Sequence, residues 1–188
     1  EQPGGIWHQI GQGVQPEWFL KTADGKHVSF WPGNVMMNPG SRNSGGLSYA
    51  GYLADFFARN ILATGLWDGL FFDTVWDSIF WLNQDIDIDR DGVVDDKEKV
   101  DRAWRDGQNL FFEALRAHFG DQYLLLGNGV LEPYAQYLNG RMFESFPDPS
   151  EGGWAGSVKR YQSIAAIGSS PHITVLNSDT KNTGNWRD

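Results

Sequence analysis

The chain has 188 residues, room for one domain with a sizeable core. Its 24 acidic against 15 basic side chains give a formal charge of −9, which argues against nucleic acid or an anionic membrane as partner, since both need clustered Lys and Arg. Zero cysteines exclude disulfides, thiol catalysis and cysteine-based metal centres, and no apolar run approaches the roughly 18 residues that span a bilayer.

Residues 1–48 are rich in Gly, Pro, Asn and Ser, and no strong helix is expected there. Asp24-Gly25 lies between two short candidate strands, Trp18 to Lys21 and Lys26 to Trp31, the pattern of a hairpin. Asn38-Pro39-Gly40 marks a turn. Ser48 is placed to cap a helix over 49–64, whose apolar residues recur at three- and four-residue intervals until Gly65 ends it. Leu70-Phe71-Phe72 is a short strand, opened by Asp68-Gly69 and closed by Asp73.

Residues 87–98 fit a twelve-residue calcium loop. Asp87, Asp89, Asp91 and Glu98 occupy positions 1, 3, 5 and 12, Gly92 supplies the turn at position 6, and Val93 would offer its carbonyl. These four carboxylates repel one another unless a counter-ion joins them, so one structural Ca²⁺ is expected. The bland alternative is a solvated acidic loop. A single loop behind the poor helix end Asn83-Gln84-Asp85 does not make a calcium sensor. A loop of modest affinity suits millimolar extracellular calcium, and the chain opens at Glu1 without Met, so a processed amino terminus and a secreted or cell-surface location are expected.

Beyond the loop, Val100, Ala103, Trp104, Gly107, Phe111, Ala114 and Leu115 trace one face of a helix over 96–118, stopped by Gly120. Tyr123 to Leu126 forms the next strand and runs into Gly127-Asn128-Gly129. A short helix over Glu132 to Leu138 precedes the strand Arg141-Met142-Phe143, which ends at Glu144. A helix over 153–166 leads to the strand Ile173 to Leu176, which ends at Asn177.

Strands apolar on both faces that alternate with amphipathic helices indicate a parallel sheet covered by helices. Each apolar run stops at a polar residue: Asp73, Asn128, Glu144 and Asn177. In parallel α/β folds the carboxyl ends of the strands share one edge, and that edge carries the active site. Four strands cannot close a (β/α)₈ TIM barrel, which needs roughly 200–250 residues or more. The chain is then either part of such a barrel or a small open sheet; the missing initiator Met and the abrupt end at Trp186-Arg187-Asp188 favour part of a barrel, a single catalytic domain over 1–188 with the calcium loop inserted at 85–98.

Glycosidic bonds are usually cleaved by two carboxyl groups, one as acid and the other as nucleophile or base. Asp73 and Glu144 end strands separated by one other. At about 4.8 Å per strand their backbones lie on the order of 10 Å apart, and inward side chains narrow that to the roughly 5–9 Å that both mechanisms use. Retention and inversion stay open. Asp77 is a rival for Asp73, Asn128 would orient a hydroxyl or the nucleophile, and Trp76, Trp81 and Trp154 are candidate sugar platforms. No Ser-His-Asp set, phosphate loop or dinucleotide fingerprint can be assembled.

Trp67-Asp68-Gly69-Leu70-Phe71-Phe72-Asp73-Thr74 resembles the "D-G-(aliphatic)-F-x-D" strand of glycoside-hydrolase-like TIM barrels, related in pattern to the α-galactosidase and endo-polygalactosaminidase groups. Trp31-Pro32-Gly33, Asn38-Pro39 and the helix carrying Trp104 and Arg116 extend the resemblance over about residues 16–148. It implies that Asp73 is the catalytic aspartate ending strand four and that Glu144 is the carboxylate after strand six. The chain would then span about strands four to seven, with the rest of the barrel outside it. The expected function is a glycosidase acting on a poly- or oligosaccharide. The alternative is a non-catalytic, calcium-stabilised carbohydrate-binding module.

Overall fold

The computed structural model describes residues 4–178. In chain order the elements are α1 (Ile6–Gly13), β1 (Lys21–Thr22), α2 (Tyr49–Asn60), β2 (Gly69–Val75) and β3 (Ile86–Asp87). There follow α3 (Lys97–Phe119), β4 (Leu124–Gly129), β5 (Gly140–Phe143), α4 (Gly153–Ile164) and β6 (Ile173–Leu176). Contacts divide the chain into two compact units, Glu1–Trp67 with Asp77–Gly120 and Asp68–Trp76 with Asp121–Asp188.

In the first unit, α2 packs on α3. The Ser48 hydroxyl accepts from the Gly51 N–H and opens α2, and Gly65, at φ 68°, closes the turn that follows. Asp96 caps α3 by accepting from the Lys99 N–H. Ala50, Ala54 and Ala58 are buried, and Phe57 meets Phe111 edge-on at 6.2 Å. Gly107 lets α3 approach the Asn38-Pro39-Gly40 turn, since a Cβ there would stand 2.7 Å from the Gly40 nitrogen. Trp18, 1 % exposed, stacks on Tyr52 and donates its indole N–H to the Leu47 carbonyl.

Two local expectations change. The Asp24-Gly25 turn forms, with the Thr22 N–H bonded to the Lys26 carbonyl, but the ladder partner of β1 is β3, antiparallel. Residues 6–13 are helical despite Gly11 and Gly13. Tertiary packing supplies what propensity withholds: Ile10 is buried, and the Tyr52 hydroxyl donates to its carbonyl at 2.7 Å.

The second unit is built on a four-stranded sheet in the order β2-β4-β5-β6, all parallel. The four strands are those expected from the apolar runs. Phe71 pairs with Leu126, Asn128 with Met142, and Met142 with Val175, so these residues line one face. On that face Phe71 is 52 % and Val175 38 % exposed. On the other face Phe143 lies beneath α4, at 6.4 Å from Tyr161. The short helix expected over 132–138 is only a 3₁₀ turn, Glu132–Tyr134, fixed by the Tyr134 hydroxyl donating to the Trp76 carbonyl. Asn139 ties β5 to β4: its side-chain oxygen accepts from the Leu125 N–H, and its own N–H donates to the Leu125 carbonyl. Among the described residues no helix is long and apolar enough to cross a membrane.

Candidate active site

Parallel strands put their carboxyl ends at one edge, and alternation then decides which side chains meet there. Asp73 lies two residues beyond Phe71, Asn128 two beyond Leu126, and Glu144 two beyond Met142, so all three emerge on the same face. Their side chains touch. One nitrogen, Nδ2 of Asn128, donates to Asp73 Oδ1 at 2.9 Å and to Glu144 Oε2 at 3.0 Å. Those two bonds laid end to end cap the separation of the accepting oxygens at about 6 Å. An amide nitrogen whose hydrogens diverge by roughly 120° brings it nearer 5 Å.

Backbone irregularity aims Asp73. The β2–β4 register slips between Phe72 and Val75, and Thr74 takes φ 55°, which a β-branched residue rarely adopts. In that conformation the Thr74 N–H turns back onto Asp73 Oδ1 at 2.8 Å. On the neighbouring strand Gly129, at φ 146°, pairs with Val75, and a Cβ there would collide with the Val75 carbonyl.

Beside Glu144 lies a cavity of about 220 Å³, lined among others by Asn128, Arg141, Phe146, Asp148, Glu151 and Ser157. Trp154, 66 % exposed, meets Phe146 edge-on at 5.6 Å. Trp76 is half-buried at the end of β2, where its N–H donates to the Thr74 carbonyl. Asp77 and Trp81 belong to the first unit. The Asp77 carbonyl accepts from Arg105, and Trp81 is 58 % exposed, with its indole N–H on the Ser78 carbonyl.

The acidic loop over 87–98 also lies in the first unit. Asp87 is buried and accepts from the N–H groups of Asp91 and Gly92. Asp91 accepts from the Val93 N–H. The carboxylates drawn together are Asp87, Asp89 and Asp95, within 4.8 Å of one another. Glu98 instead points its carboxylate to Arg102, at 3.1 Å. Lys99 reaches Asp89 and Asp95, both at 2.6 Å, and this pairing raises the lysine pKa and lowers that of Asp89.

A family model described as "Hypothetical glycosyl hydrolase family 15" matches residues 2–186. The chain belongs to hypothetical glycosyl hydrolase family 15. No curated protein matches it. The match carries the glycoside-hydrolase-like resemblance of the β2 motif, at the level of the family alone, and with it a carbohydrate as the class of substrate. The sequence offers Arg141 as a strand residue and as a salt-bridge partner for Glu144, and among the described residues that ion pair does not form. Two contributors carry no sequence signal: Asp95 occupies a loop position where water often intervenes, and the strain at Thr74 is invisible until the register slip is known.

Proposed function

We propose that this chain carries the two-carboxylate site of a retaining glycoside hydrolase, with Asp73 as nucleophile and Glu144 as acid and base. The observation that carries the reading is the Asn128 bridge. It holds two carboxyl groups in the range of about 5–5.5 Å used for retention, short of the roughly 6.5–9.5 Å that leaves room for an inverting water. In the first step an Asp73 oxygen bonds to the anomeric carbon as the glycosidic C–O bond breaks, and Glu144 gives its proton to the departing oxygen. In the second step Glu144 takes a proton from water, whose oxygen displaces Asp73 and restores its carboxylate. Asn128 is the positioning residue, donating to both groups. Trp154, and Trp76 nearer the strand end, are the proposed sugar platforms, and Asp77 and Trp81 stay proposals with them.

The parallel sheet is proposed to be part of a (β/α)₈ barrel. Support comes from its strand order and from the exposed Phe71 and Val175 on the face that carries the carboxylates, since parallel sheets usually have both faces covered. One structural Ca²⁺ in the 87–98 loop is proposed as well, on Asp87, Asp89, Asp91 and the Val93 carbonyl, with Glu98 or Asp95 completing the set. A secreted or cell-surface location fits that ion.

The test is hydrolysis of a polysaccharide panel by the full-length protein, read as new reducing ends. Asp73→Asn and Glu144→Gln should each lower the rate about 10²–10⁴-fold with circular dichroism unchanged. Wild-type rates from both variants would remove the assignment. Binding without any turnover would favour the carbohydrate-binding module instead.

A further inference from the structure

Among the described residues Arg141 is the one cation lining the cavity beside Glu144, and of its guanidinium N–H groups only the one on Nε has an acceptor. Its Nε donates to the Met142 carbonyl at 3.2 Å, and its central carbon sits 4.4 Å from the centre of the Phe143 ring. Those contacts fix the plane of the group. They leave the two terminal nitrogens, the fork that matches a carboxylate, with no hydrogen bond or ion pair among the described residues. Burial, followed by the nearby Arg160, pulls the Arg141 pKa below its ordinary value. Arg160 itself is paired with Glu132 at 2.6 Å.

The acidic neighbours do not fill this vacancy. Asp148 Oδ1 already accepts from the N–H and the hydroxyl of Ser150, and Glu144 is engaged by Asn128. Glu151 is exposed to solvent and makes no ion pair among the described residues. Glu132 and Glu151 offset part of the burial from a distance, but neither gives the terminal nitrogens a hydrogen bond, and an arriving carboxylate would supply one. At about 220 Å³ the cavity is below the roughly 300–1,000 Å³ of sites for drug-sized ligands, room for one sugar ring rather than a chain.

We propose that Arg141 is a specificity residue that binds the carboxylate of a uronic-acid unit in the cavity next to Glu144. A uronate matches this lining better than a small inorganic anion. Its single charge pairs with the guanidinium fork, while its hydroxyls donate to Glu151 and Asp148, which would repel a bare dianion. The inference rests on the hydrolase reading only for the role of Glu144.

The test is isothermal titration of the full-length Asp73→Asn protein, which blocks turnover at a residue that does not itself line the cavity and leaves Arg141 as it is. The probes are trigalacturonate, triglucuronate and their carboxyl-reduced, neutral counterparts. At least one uronate should bind about tenfold or more tightly than its neutral counterpart, as expected for a charge-assisted pair. Arg141→Met, which keeps an apolar stem on Phe143, should erase that preference and leave neutral binding unchanged. If Arg141→Met fails to fold, Arg141→Lys decides, because losing the fork should still shrink the preference. Equal affinity for charged and neutral probes, no uronate binding, or a preference that survives both substitutions would overturn the inference. Hydrolysis of neutral glycans alongside any of these results would leave the hydrolase reading standing. Uronate preference without hydrolysis of any glycan would do the reverse.

Discussion

Thr74 holds Asp73 by its own backbone: at φ 55° its N–H donates to Asp73 Oδ1 at 2.8 Å. A left-handed conformation costs an L-residue about 1–2 kcal/mol, and such strain persists where the surroundings over-determine it. Thr74→Gly should therefore raise the melting temperature by a few degrees, since part of that strain is released and part returned as glycine entropy. The same change should lower kcat several-fold, because Asp73 is no longer held in one aim. Calorimetry and initial rates on one preparation check both; a variant slower and less stable would show that the conformation is not strained.

Asn128 is predicted to matter more to turnover than to folding. Asn128→Ala removes two donors to charged groups, each worth about 1.5–3 kcal/mol, so kcat should fall at least about tenfold. Asn128→Asp should be worse, since a third carboxylate then faces the other two. Like charges raise each other's pKa, so the acid limb of its pH–rate profile should move to higher pH. An unmoved limb would mean that the three groups do not interact in solution.

Retention can be read directly. Proton NMR of the first product, taken before mutarotation, should show the anomeric configuration of the substrate. Inverted product would require a wider carboxylate pair than the Asn128 bridge allows.

Asp101 gives the first unit an acid-sensitive anchor. It is 2 % exposed, accepts from the N–H groups of Ile79 and Phe80, and pairs with Lys97. Burial pushes its pKa up, but the Lys97 pair and the two backbone donors outweigh this and leave it below the ordinary value. A depressed folded pKa adds stability that is complete above the unfolded value, near 3.9, and is lost as pH falls through the folded one. Asp101→Asn should cost about 1–3 kcal/mol at neutral pH and flatten the fall of melting temperature below about pH 4. Parallel melting curves for variant and wild type across that range would contradict the pairing.

Calcium should stabilise the chain. After chelation, adding the ion at about 100 times its dissociation constant should raise stability by about 2.7 kcal/mol. Asp87→Asn should abolish the gain. Asp95→Asn and Glu98→Gln, compared side by side, identify the residue that completes the coordination. A melting temperature indifferent to calcium would end the proposal.

The helices over 49–64 and 96–118 and the four apolar strands were legible because periodicity and capping are local: Ser48, Asp96, Gly65 and Gly120 do their work within a turn or two of themselves. The polar residue after each strand was legible for the same reason. Other features were not local. The partner of Lys21–Thr22 lies at Ile86–Asp87, and the helix at Ile6–Gly13 depends on Tyr52, both set by contacts far along the chain. The sequence by itself determined that Asp73, Asn128 and Glu144 end neighbouring strands, because apolar runs and their stops are written in residue order. Only the tertiary structure decided that one amide nitrogen reaches both carboxylates, that a bulge turns Thr74 back onto Asp73, and that Arg141 keeps its fork free. Strand register and the approach of side chains across a sheet arise from packing, which no single segment encodes.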